Sequence, residues 1–218
     1  MLEFLYESLI EGGVPHNTIV TILLFPIIAT LIVVARQVIG IKSFGIYTPL
    51  IITFAFIEVN IRYGAAIFIL SLAVATLLRY LLRTFRMLYL PKMALILSIT
   101  TLTMFGVLFM AVITQDTVAT DLSVYQILII VTLVEKFINV QIEKGYNTAL
   151  FLAVETLVLA TIGYFIVTTQ QVQDFVVQNP IIIPFFFLII ILLGRYEGLR
   201  ITEYIRFRKL FETQDKNR

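Results

Sequence analysis

The chain has no cysteine and no tryptophan, and its single histidine is His16. The missing thiols exclude disulfides, thiolate metal sites and cysteine nucleophiles, and they leave the redox compartment unreadable. A lone imidazole excludes paired-histidine metal motifs such as H-E-x-x-H. Charge is scarce as well. Asp, Glu, Lys and Arg make up 14% of the 218 residues, against 60% hydrophobic. Soluble domains carry about 25% charged and about 45–50% apolar residues, so an ordinary water-soluble globule is excluded. No nucleophile elbow, phosphate-cradling glycine loop, zinc motif or nucleic-acid module is present. Ser43 stands beside Lys42, yet two adjacent loop residues without a supporting motif do not make a Ser–Lys catalytic pair. The expectation is therefore a protein that is not an enzyme, with no catalytic, cofactor-binding or metal-ligating residue assigned.

What the chain has instead is long apolar runs, the pattern of membrane-spanning helices. Read between breakers, the runs predict an all-α integral membrane protein with seven transmembrane helices. The expected spans are 19–35, 46–59, 63–82, 93–113, 122–140, 147–168 and 181–193. Gly12, Gly13 and Pro15 precede the first, and Asn17 or Thr18 can cap it. The second is short for a bilayer that needs about 20 helical residues; a tilt, a kink at Pro49 or a partly re-entrant path each accommodates it. Before the first span, Glu3, Glu7 and Glu11 recur every four residues, which fits a short helix at the membrane surface and not the basic start of a signal peptide.

Basic residues alternate from loop to loop. Fifteen of the sixteen follow the first, third, fifth or seventh span, and only Arg62 falls on the other side, among most of the acidic residues outside the spans. Cytoplasmic loops carry the excess of Lys and Arg, so the N-terminus is expected outside and the C-terminus in the cytoplasm. The expected division is an extracytoplasmic segment 1–16, a seven-helix domain 17–199 and a basic cytoplasmic tail 200–218. Tyrosines near the span ends, such as Tyr63, Tyr80, Tyr125 and Tyr146, suit an aromatic belt.

Three groups of residues stand out. Arg79, Arg83 and Arg86 follow i, i+4, i+7 and share one helical face. With Lys42, Lys92, Arg200, Arg206, Arg208 and Lys209 they form a basic set, open to two readings: attraction to anionic lipid, or docking of an acidic partner. Glu135 and Glu155 lie inside apolar runs, where a carboxylate is costly unless it is partnered. Arg36, Lys136 and Arg195 are the cations expected within reach, and an intramembrane ion-pair cluster of these five is the structural reading beside a substrate or ion path. The stretch 36–49, RQVIGIKSFGIYTP, is either a tight connection or a re-entrant element lining a cavity.

Four blocks also resemble a known family. They are FPIIATLIVVARQVIGIKSFGIYTPLIITFAF at 25–56, YLPKMALILS at 89–98, EKFINVQIEKG at 135–145 and LLGRYEGLRITEYIRFRKL at 192–210. In order and content they resemble the seven-transmembrane domain that follows an inactive transglutaminase-like domain in many Gram-negative bacterial proteins. The domain is also remotely similar to the small membrane subunit of capsular poly-gamma-glutamate synthases. In that family the transglutaminase-like domain would precede the first span, where this sequence has residues 1–16. The resemblance implies a bacterial inner-membrane location, no cofactor, and as partners a cytoplasmic ATP-grasp ligase and a retropepsin-like protease. It supplies no catalytic residues. The expected function is a non-enzymatic membrane subunit that anchors the ligase and helps export its acidic product; the alternative is an independent transporter or channel for a small solute or peptide. Oligomeric state is not readable from the sequence.

Overall fold

A computed structural model describes residues 12–113, 124–179 and 181–195. All regular structure among them is helical: α1 (His16–Val34), α2 (Tyr47–Val59), α3 (Ile61–Leu81), α4 (Tyr89–Ile113), α5 (Val124–Lys144), α6 (Tyr146–Thr168), α7 (Gln170–Gln178) and α8 (Ile182–Gly194), with a π-helical turn Ala35–Ile39 after α1. The apolar runs could form only helices here, because a backbone in hydrocarbon must satisfy its own N–H and C=O groups. Side-chain hydroxyls obey the same demand. Those of Thr30, Thr53, Ser71, Thr76, Thr100 and Thr156 each donate to the carbonyl four residues earlier.

Each of the seven expected spans corresponds to an apolar helix, namely α1 to α6 and α8. Five of these are long and apolar enough to cross a membrane: α1 with its π-turn, α3, α4, α5 and α6. The 13 residues of α2 reach about 20 Å at 1.5 Å per residue, against about 30 Å of hydrocarbon. Helix α8 also has 13 residues; together with α7 it would form a sixth span, bent by 101°.

Several details differ from the expectation. Helix α1 starts at His16 with Pro15 at the N-cap and no side-chain cap, so Asn17 and Thr18 lie inside it. Pro49 is the third residue of α2, where a missing N–H costs no helical bond, so it does not kink the helix. The segment 169–178, expected as a loop, is the amphipathic helix α7. The N-terminal surface helix and the basic tail, including Arg200, Arg206, Arg208 and Lys209, lie outside the described residues.

The chain divides into two compact units. One comprises residues 1–46 and 165–218; within it, α1 packs against α7 and α8. Gln37 in the π-turn donates from Nε2 to the Leu193 carbonyl at 2.6 Å, occupying one of the orphan acceptors at the end of α8. Gly40 closes the turn at φ +97°, a conformation that glycine reaches without strain. The other unit, residues 47–164, packs α3 against α4 and α5, and α2 against α3 and α5. Its core holds Phe56, Ile96, Met104, Phe137 and Ile138, all nearly inaccessible. Thr53 Oγ1 also lies 3.2 Å from the Ala160 carbonyl, tying α2 to α6.

Candidate functional site

The basic residues at the end of α3 do not simply project into solvent. In the 47–164 unit, α3, α4, α5 and the first turn of α6 enclose an open pocket of about 590 Å³. Arg79, in the last turn of α3, and Arg83, just past it, supply two cations. Lys92, in the first turn of α4, supplies the third. Tyr80, Tyr89 and Tyr146 line it as well, and none of the described residues lining it is a carboxylate. Arg79 suits its position for a local reason, since a cation complements the negative end of the helix dipole.

A relay of hydrogen bonds fixes the guanidinium. Arg79 Nη1 donates to Gln141 Oε1 at 2.8 Å. Gln141 Nε2 donates to Thr76 Oγ1 at 3.0 Å, and Thr76 Oγ1 donates to the Leu72 carbonyl at 2.8 Å. Gln141 is buried on α5, and only this orientation of its amide satisfies both neighbours. Holding Arg79 costs one of its five N–H donors and adds no negative charge. The pocket therefore keeps its three positive charges while that of Arg79 is positioned. Beside it, Tyr89 Oη donates to Asn139 Oδ1 at 2.5 Å, joining α4 to α5. Such a site is chemically suited to an acidic group, because guanidinium forks form paired, charge-assisted bonds with carboxylate or phosphate oxygens.

Residues 3–211 match the family described as seven transmembrane helices usually fused to an inactive transglutaminase. The chain belongs to this family. It is accordingly a multi-pass membrane protein. No curated protein and no solved structure matches the chain.

The other expected site residues of this family member fall in several places. Of the basic set, Arg79, Arg83 and Lys92 are brought together in the pocket, whereas Arg86 is exposed and not part of its lining, and Lys42 is exposed in the other unit. Glu135, Lys136 and Glu155 belong to the 47–164 unit, while Arg36 and Arg195 belong to the other. Glu135 is exposed and Glu155 half-buried. Lys136 turns to α2: its Nζ donates to Thr48 Oγ1 at 3.0 Å and sits 5.6 Å from the centre of the Tyr47 ring, a cation–π contact. Arg36 lies over the 40–46 connection, where a Cβ on Gly45 would stand 3.9 Å from its Nη1. Ser43 closes that connection by donating to the Gly45 carbonyl at 2.8 Å. Arg195 is exposed at the C-cap of α8.

Gln141 and Gln126 were missed by reading the sequence. Gln126 falls inside the expected fifth span and Gln141 just past its end at 140, and both are buried on α5. Gln126 Nε2 donates to Glu58 Oε2 at 2.7 Å, fastening α5 to α2. A polar side chain inside a span was the available signal.

Proposed function

We propose that this domain is a non-enzymatic subunit of a bacterial inner membrane that anchors a cytoplasmic ATP-grasp-type peptide or glutamate ligase and handles its acidic product. The observation that carries the reading is the pocket formed by Arg79, Arg83 and Lys92, with no carboxylate among the described residues that line it. A group of cations gathered in a partly enclosed site lowers its energy by taking up an anion. Its volume lies within the usual range of about 300–1,000 Å³ for small-ligand sites. The alternation of basic loops supports a cytoplasmic position for this pocket, where a ligase would deliver an acidic chain. Membership of a family usually fused to an inactive transglutaminase agrees with a role in holding and passing, not in bond-making.

Two measurements test it. Crosslinking in native membranes is expected to recover a cytoplasmic ligase with the domain. Oligoglutamate binding to the purified protein is expected to fall by about tenfold or more in Arg79→Gln/Arg83→Gln/Lys92→Gln, since a hydrogen bond to a charged group is worth roughly 1.5–3 kcal/mol. Failure to recover a ligase, together with ligand-dependent flux in proteoliposomes containing this chain alone, would replace the reading by an independent transporter.

A further inference from the structure

Two concavities of the 47–164 unit meet at its basic end. One is the cationic pocket. The other is a groove of about 670 Å³ between α3 and α6, floored by the buried Phe137 of α5. Its walls include Phe68, Leu72 and Leu77 on one side and Leu150 and Val154 on the other, and none of the described residues lining it is charged. Thr76, Tyr80 and Tyr146 line both spaces, so the groove adjoins the pocket that holds the three cations. From Tyr80 to Phe68 it follows α3 for about 18 Å at 1.5 Å per residue.

An apolar surface facing lipid needs no explanation in a membrane protein. A concave apolar path beside a pocket that holds Arg79, Arg83 and Lys92 does, because it sets sites for the two halves of an amphiphile next to each other. A hydrocarbon chain gains little by leaving the bilayer for such a groove, since lipid tails are as apolar as the side chains that replace them. Selection must therefore come from the head group, where charge complementarity is strong. The groove's contribution is geometric: it lets an acid reach the cations while its chain stays within the hydrocarbon. Tyrosine, with an apolar ring and a polar hydroxyl, suits the boundary between those two regions. Tyr80 and Tyr146 occupy it with 72% and 51% of their surface exposed.

We infer that groove and pocket together form one binding site for an acid-headed membrane lipid, its head held by Arg79, Arg83 and Lys92 and one hydrocarbon chain lying between α3 and α6. This rests on the reading that the pocket takes an acidic group, and it names what carries that group.

The test uses the full chain in vesicles of phosphatidylethanolamine and phosphatidylcholine. These are doped with phosphatidic acid or phosphatidylcholine carrying a diazirine in mid-chain, and photoadducts are mapped by mass spectrometry. The acidic probe is expected to label groove positions such as Leu77, Leu150 and Val154 about tenfold more than the choline probe, one decade of preference. Ala73→Phe, which fills the groove from an exposed position, is expected to remove that excess while oligoglutamate binding persists. Arg83→Gln/Lys92→Gln, which leaves the Arg79–Gln141 bond intact, is expected to remove it as well. Equal labelling by the two probes, or an excess unchanged in Ala73→Phe, overturns the lipid site and leaves the pocket reading standing if oligoglutamate still binds in an arginine-dependent way. Indifference of both ligands to all three cations overturns both.

Discussion

Arg79 and Gln141 are 62 positions apart in the chain, on α3 and α5, and share a 2.8 Å hydrogen bond. Gln141 is 2% exposed and also donates to Thr76, so one neutral side chain both aims the guanidinium and locks two helices together. Gln141→Leu is expected to lower stability by about 1–2 kcal/mol, because polar contacts between membrane helices average about 0.6 and reach about 1.7 kcal/mol each. Gln141→Glu separates the two roles. It keeps an acceptor for Arg79 but places a carboxylate against the pocket, so unfolding should be little changed while oligoglutamate binding falls by about tenfold. Binding and detergent-unfolding titrations of the two variants check this, and unaltered acid binding in Gln141→Glu would disprove the role of the pocket's net charge.

Lys136 is held to α2 by the Thr48 hydroxyl at 3.0 Å and by the Tyr47 ring. A double-mutant cycle of Lys136→Met and Thr48→Val is expected to give a coupling of about 0.6 kcal/mol, with about 1.7 as the upper end for such pairs. Additive losses would show that the lysine is held by something else.

Gly64 of α3 lies against Phe56 of α2. A Cβ at Gly64 would meet Phe56 Cδ1 at 2.5 Å and Cε1 at 2.9 Å, and Phe56 is buried. Gly64→Ala is expected to destabilise the domain by about 1–3 kcal/mol through overpacking. Phe56→Leu in that background should recover part of the loss. The check is the unfolding midpoint of the single and double variants; a Gly64→Ala midpoint equal to that of the parent rejects the close approach.

Because the chain has no cysteine, single-cysteine labelling reads its topology without background. Val118→Cys and Lys144→Cys are expected on opposite faces, with Lys144→Cys reached only from the cytoplasm. Labelling of both from one side contradicts the orientation.

Much of the helix layout was legible in the sequence because it depends on local quantities. Apolar run length and the breakers between runs locate α1 to α6 and α8 within a few residues, since a helix satisfies its backbone from within its own segment. Helix α7 was missed for an equally local reason: Gln170, Gln171, Gln173 and Asp174 make 169–178 look like a connection, whereas Val172, Phe175 and Val176 give it an apolar face at i, i+3, i+4. Arg79 and Arg83 announced themselves by spacing and Lys92 by its place in a basic loop.

By itself the sequence determined that this is a helical membrane protein, which segments are apolar, and where its basic residues gather along the chain. Only the tertiary structure decided that Arg79, Arg83 and Lys92 share one pocket while Arg86 stays outside its lining, that Gln141 aims Arg79, and that an apolar groove shares Thr76, Tyr80 and Tyr146 with that pocket. The physical reason lies in the solvent. In water a helix buries its apolar face, and the stripe shows which side is inside. In lipid both faces are apolar, so periodicity does not tell a core residue such as Ile138 from an exposed one such as Leu128, and the choice falls to packing between helices that are far apart in the chain.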